Sequence, residues 1–271
     1  MSYQVDSQFT LSRDQIAVAL THGTFGSHLG VVFHSVDEGP KLIHLSWHKQ
    51  LNVDTFPHPS QCWIACKVDI PPKAGAQVVA IFRGLAKKRP TSIGYGLNVL
   101  AGMGSFNLNG VYKAPRGSDG LTCSTLVTTL FREAALPLIT EESWPSNDAG
   151  NLAWGKCVCC MLEASGADDA HLKAVRGSNR GMRVRPEEVA AAAAALYKSR
   201  PLSFDEASPI SPSVIGTLSA SCPACINIHS PFASCLSEYD AALAVISVVP
   251  KMLDEDLALP TAPSALPTAS R

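Results

Sequence analysis

Three residues of this chain have the types and the setting for nucleophilic acyl chemistry. Cys123 opens the segment TCSTLVTTLFREAA (122–135), in which Leu126, Val127, Leu130, Phe131 and Ala134 recur at helical spacing. A cysteine in the first turn of a helix sits among unpaired backbone N–H groups at the positive end of the helix dipole, an environment that favours thiolate over thiol. The same N–H groups can receive the negative charge of a tetrahedral intermediate. A thiol nucleophile also needs a base within hydrogen-bond reach, and that base needs a third group to hold its tautomer. His28, at the start of HLGVVFH, and His44, inside KLIHLSW, stand on two segments that read as adjacent strands, so both imidazoles can share one face of a sheet.

The order of these pieces is informative. A His-x-Gly-aliphatic-aliphatic-aromatic stretch begins at His28, a Leu-Ile-His stretch ends at His44, and Cys-Ser-x-Leu-Val opens a helix at Cys123. This order resembles the permuted papain-like thiol enzymes, the superfamily of the NlpC-type peptidases and the lecithin:retinol acyltransferase-like enzymes. The resemblance spans roughly residues 15 to 135. It implies that Cys123 is the nucleophile, His28 the base and His44 the residue that orients it, with His48, of the same strand parity, as the alternative to His44. It also implies a peptide, isopeptide or acyl substrate.

The elements that must position these residues follow from periodicity. QIAVAL (15–20) and LGVVFH (29–34) read as strands joined by a Gly-containing loop, and KLIHLSW (41–47) as the return strand of a hairpin after the turn signal VDEGP. CWIACKVDI (62–70) is a further strand, and QVVAIFRGLA (77–86) is either strand or helix. Residues 89–120 read as a long glycine-rich loop whose Tyr95, Phe106 and Tyr112 suggest packing, with a face toward substrate. Helices are expected over 122–135, 149–165 and 186–198, the last from its early proline, two glutamates and alanine run. Together these give an α+β fold of the permuted papain-like type: a small antiparallel sheet carries the histidines, the Cys123 helix packs on that same face, and further helices follow residue 140. The expected organisation is a catalytic domain over 1–200, a linker and short helical segment over 201–258, and a disordered tail over 259–271.

Composition narrows the function. The chain has 271 residues, 46% of them hydrophobic, enough for a sizeable core, and 22 basic against 23 acidic residues give a net charge of −1. With no basic segment beyond Lys87-Lys88-Arg89, nucleic acid is not expected as a partner. No signal peptide or membrane-spanning run is recognisable, so a cytoplasmic location is expected. The nine cysteines are read as mostly reduced thiols, with Cys62 and Cys66 in the core. Cys222, Cys225, His229 and Cys235, with Cys157, Cys159 and Cys160, form a weak zinc pattern, and neither metal nor cofactor is expected. The reading is a cysteine-dependent peptidase or amidase working through a thioester. An acyltransferase on the same scaffold, or a non-catalytic binding module with or without a stabilising zinc, is the alternative.

Overall fold

The computed structural model describes residues 3–23, 26–90, 92–100, 106, 112–114 and 120–223. Six strands form one antiparallel sheet: β1 (Gln4–Val5), β2 (Ile16–Gly23), β3 (Gly26–His34), β4 (Pro40–Trp47), β5 (Gln50–Thr55) and β6 (Ile64–Lys67), in the order β1-β6-β2-β3-β4-β5. Two-residue alternation divides the sheet into two faces. Ile16, Val18 and Leu20 of β2, Leu29, Val31 and Phe33 of β3, and Ile43 and Leu45 of β4 belong to the main core, which they share with the helices. Ala17, Ala19, Val32, Leu42 and Ala65 face the other way, onto Trp63 and Phe56, where Phe9 and Leu11 of the N-terminal segment cover them.

Helix α1 (Pro72–Lys88) resolves the ambiguous 77–86 segment: proline at the start fixes the first turn, and Val78, Val79, Phe82 and Leu85 form one buried stripe. Helix α2 (Cys123–Glu133) is capped by Thr122, whose side chain accepts from the Thr125 N–H at 3.1 Å while the Thr125 hydroxyl accepts from the Thr122 N–H at 2.7 Å. Every residue from Cys123 to Phe131 is buried, including Thr128, which lies off the apolar stripe. Helices α3 (Ala149–Ala164) and α4 (Asp169–Ser178), begun by the caps Asp148 and Asp168, enclose a second, smaller core of Leu97, Cys157, Val158, Cys159, Leu162, Leu172 and Val175. Helix α5 (Pro186–Ala194) packs its alanines directly against β2, β3 and β6, which their small side chains allow.

Residues 199–214, expected as a linker, are instead structured. They contain α6 (Phe204–Ala207), a 3-10 turn and the first part of α7 (Ser211–Ser221). Val214 and Leu218 bury against the main core, so these few apolar residues outweigh the Ser and Pro content that suggested a loop. The expected helical segment and tail beyond residue 223 lie outside the described residues. The expectation of mostly reduced cysteines has one exception among the described residues: Cys62 and Cys222 form a disulfide that ties the segment before β6 to the end of α7, while Cys66, Cys123 and Cys160 are free thiols. Among the described residues no helix is long and apolar enough to cross a membrane.

Candidate active site

The expected site residues meet, though not in the expected way. His28 and His44 have the parity of Val32 and Leu42 and lie against Trp63, their ring centroids 5.8 and 5.6 Å from its own. Helix α2 packs on the opposite face, with Leu29, Val31 and Leu45. The expectation that helix and imidazoles share one face is therefore corrected. What joins them is a parting of the strands. The ladder between β3 and β4 runs only from Val31–Ile43 to His34–Pro40, and His28 and Leu29 lie beyond it. There the Leu29 N–H is directed at the Cys123 sulfur, and the side chains of Cys123, His28 and His44 line one cavity of about 790 Å³.

The histidines form a chain that ends on a carboxylate. His28 Nε2 is 2.8 Å from His44 Nδ1, and His44 Nε2 is 2.9 Å from Asp54 Oδ2. A carboxylate only accepts, so His44 donates from Nε2 to Asp54; its Nδ1 is then unprotonated and accepts from His28 Nε2–H. The tautomers are thereby fixed in sequence, and the lone pair of His28 is left on Nδ1. Burial, and after it the neighbouring His44, pushes the pKa of His28 down to about 3. His44 is also held below the ordinary range, burial outweighing the attraction of Asp54.

Burial pushes the Cys123 thiol up, against the N–H groups of Leu29 and Ser124, the Ser124 hydroxyl and the charge of Arg183, all of which favour the thiolate. The Ser124 hydroxyl is buried without a conventional hydrogen-bond partner and lies close enough to the sulfur to favour its ionised form. Thiol and imidazole, which line the same cavity, are thus both held toward their neutral forms, so the helix N-terminus does not by itself deliver the lowered thiol pKa that the sequence suggested.

Asp54 was not among the expected site residues. It comes from β5, opposite Leu42 and diagonal to His44, which faces Asn52. A signal existed in the alternation of QLNVDT, where Leu51 and Val53 turn one way and Asn52 and Asp54 the other. His48 lies just past the end of β4 and takes part in a different contact: its Nδ1 accepts from the Tyr95 N–H at 3.3 Å, and His171 Nε2 is 2.9 Å from the Tyr95 carbonyl oxygen. Between them they hold the backbone of Tyr95, whose side chain reaches the cavity and packs on Trp47 at 4.6 Å between centroids. Gly120 brings this wall to the start of α2. It has a φ of +134°, and a Cβ there would collide with the Gly94 backbone, while Leu121 pairs with Gly94 and Gly96 on either side of Tyr95.

The remaining walls come from α3, with Trp154, Met161 and Ala164, and from Arg183 and Val184 ahead of α5. No protein-family model, curated protein or solved structure matches this chain. The site must be judged on its own chemistry. Among the described residues no cluster of three metal-ligating side chains exists, Cys222 is bonded to Cys62, and Cys225, His229 and Cys235 lie outside the described residues. Cys157 and Cys159 are buried in the smaller core, and Cys160 is exposed.

Proposed function

We propose that the protein is a cysteine-dependent hydrolase of amide or ester bonds, on a scaffold of the permuted papain-like type, with Cys123 as nucleophile, His28 as base, and His44 and Asp54 as the groups that hold the base. The observation that carries this reading is the opening of Cys123 and the His28–His44–Asp54 chain into one cavity. In the mechanism, His28 Nδ1 takes the thiol proton as the sulfur bonds to the carbonyl carbon, and the imidazolium formed is stabilised through His44 by Asp54. We assign the developing oxyanion to the backbone N–H of Cys123, at the first position of α2, where the helix offers it no acceptor. Collapse breaks the bond to the amine or alcohol, which leaves with the proton from His28, and a thioester remains. Water, deprotonated by His28, then releases the acid and restores the thiol.

Per-cysteine alkylation by iodoacetamide, followed by mass spectrometry across pH in wild type and His28→Ala, tests the core of this reading. The expected result is that Cys123 alkylation slows several-fold without His28, while exposed Cys160 is unchanged. Equal slowing at both cysteines, or none at Cys123, would sink the assignment of His28 as base.

A further inference from the structure

Arg183 has no part in the steps above, yet it faces the same cavity. Its guanidinium lies 3.9 Å from the centroid of the Trp154 ring, and among the described residues no hydrogen bond or ion pair holds it. Glu187 and Arg185 act on it only at a distance, and Tyr95 and Cys123 are the other groups that sense its charge. No Asp or Glu is among the described residues that line the cavity, and His28 and His44 rest neutral, so Arg183 supplies its formal charge. The surrounding walls are Trp47, Trp154, Met161, Ala164 and Val184. A cation at the wall of a largely apolar cavity, which Glu187 attracts from beyond ion-pair distance without pairing with it, favours an anionic ligand, because the low local dielectric magnifies the attraction. The guanidinium carbon sits over the Trp154 ring, and no protein acceptor among the described residues takes the guanidinium N–H groups, which have the planar fork that pairs two-to-two with a carboxylate.

We infer that Arg183 is the substrate-recognition residue of this cavity and that the substrate is an acyl compound carrying a carboxylate near the bond cleaved, held between the Arg183 edge and the apolar walls. This inference rests on Cys123 being the nucleophile. It predicts selectivity for acidic over neutral analogues of the same size and a loss of that selectivity when the charge is removed.

Two alkylating probes that differ only in this respect provide the test. Iodoacetate carries the carboxylate and iodoacetamide does not; with either, the Cys123 sulfur bonds to the CH2 carbon, iodide leaves and the thiol proton is lost to the base. The readout is the iodoacetate-to-iodoacetamide rate ratio at Cys123, divided by the same ratio at exposed Cys160 in the same sample. A ratio about tenfold or more in favour of Cys123 is expected in wild type, the size of one charge-assisted pairing. Arg183→Met should bring it to about one, and Arg183→Lys, which keeps a charge but not the fork, should retain part of it. A ratio unchanged in Arg183→Met overturns the inference, as does an equal loss in Met and Lys variants, which would mark a packing role on Trp154. If instead iodoacetamide labelling of Cys123 is indifferent to His28→Ala, the hydrolase reading fails and this inference falls with it. A normal His28 dependence with no Arg183 dependence removes the carboxylate assignment alone.

Discussion

A carboxylate at one end of two histidines fixes where the proton of each must sit, so in the proposed mechanism His28 can act as base only while Asp54 holds this order. In Asp54→Asn the amide can donate to His44 Nε2, which inverts the His44 tautomer; His28 Nε2 then accepts from His44 Nδ1–H, and the His28 proton moves to Nδ1, where it blocks the lone pair needed for the thiol. Cys123-dependent turnover is expected to fall on the order of 10²-fold or more. Nitrogen-15 spectra of the imidazoles should show Nε2-protonated His44 in wild type and not in the variant; identical spectra would refute the tautomer chain. A neutral resting pair also has a pH signature. With the thiol pushed up by burial, Cys123 alkylation should rise steadily into alkaline pH, without the low-pH plateau of a preformed thiolate–imidazolium pair. A plateau near pH 5 would contradict it. For stability the sign is the depressed-histidine case. His28 and His48 are held at about 3 and about 4, chiefly by burial. The unfolded chain takes up protons below the ordinary histidine pKa near 6.5 while the folded chain does not, so their contribution is complete above that pH and is lost as pH falls toward 3 to 4. Melting temperature should drop across this window, and His28→Gln should flatten the slope; a slope indifferent to that substitution would place the acid sensitivity elsewhere.

Elements decide whether these groups meet. Gly30 lies just past the end of the β3–β4 ladder, still close against β4: a Cβ there would come within 2.7 Å of Leu42 Cδ1, 3.0 Å of the Ile43 carbonyl oxygen and 3.1 Å of His44 Cβ. Gly30→Ala forces β4 to give beside His44, and a cost of about 1–3 kcal/mol in urea unfolding is expected, together with a weakened His28 dependence of Cys123 alkylation. Wild-type behaviour would mean that β4 yields freely. Strands β2, β3, β4 and β6 and helices α2, α3 and α5 were legible because alternation and helical spacing were strong in each. Strand β5 was not. It is joined to β4 by the two-residue turn His48-Lys49, with Lys49 at φ 60°, and neither residue carries the Asn-Gly or Asp-Gly signature of such turns. With β5 unread, Asp54 was missed as a site residue; His28, His44 and Cys123, which were singled out, line one cavity. The seam between β3 and β4 was also illegible, since pairing that stops short leaves no mark on the residues themselves.

At the scale of the molecule, the Cys62–Cys222 disulfide links positions 160 residues apart and closes most of the described chain into one loop. No local spacing could have announced a pair so distant, and Cys222 lay nearer in sequence to Cys225. Constraining so long a loop in the unfolded chain stabilises by about 3–5 kcal/mol, so reduction by dithiothreitol should lower the melting temperature markedly, and Cys62→Ala should reproduce the shift and make it insensitive to reductant. A melting point unmoved by both would show that α7 stays in place without the link. The two cores have a different consequence. The proton-handling residues stand on the sheet, whereas Trp154 and Met161 pack with the smaller core of α3 and α4. Substitutions in separately packed regions tend to act additively, so the wall that selects a substrate can drift under selection while the reacting groups stay fixed. Such an architecture lends itself to diversification: the proposed chemistry can be carried to new molecules by rewriting α3 and the segment that leads into α5.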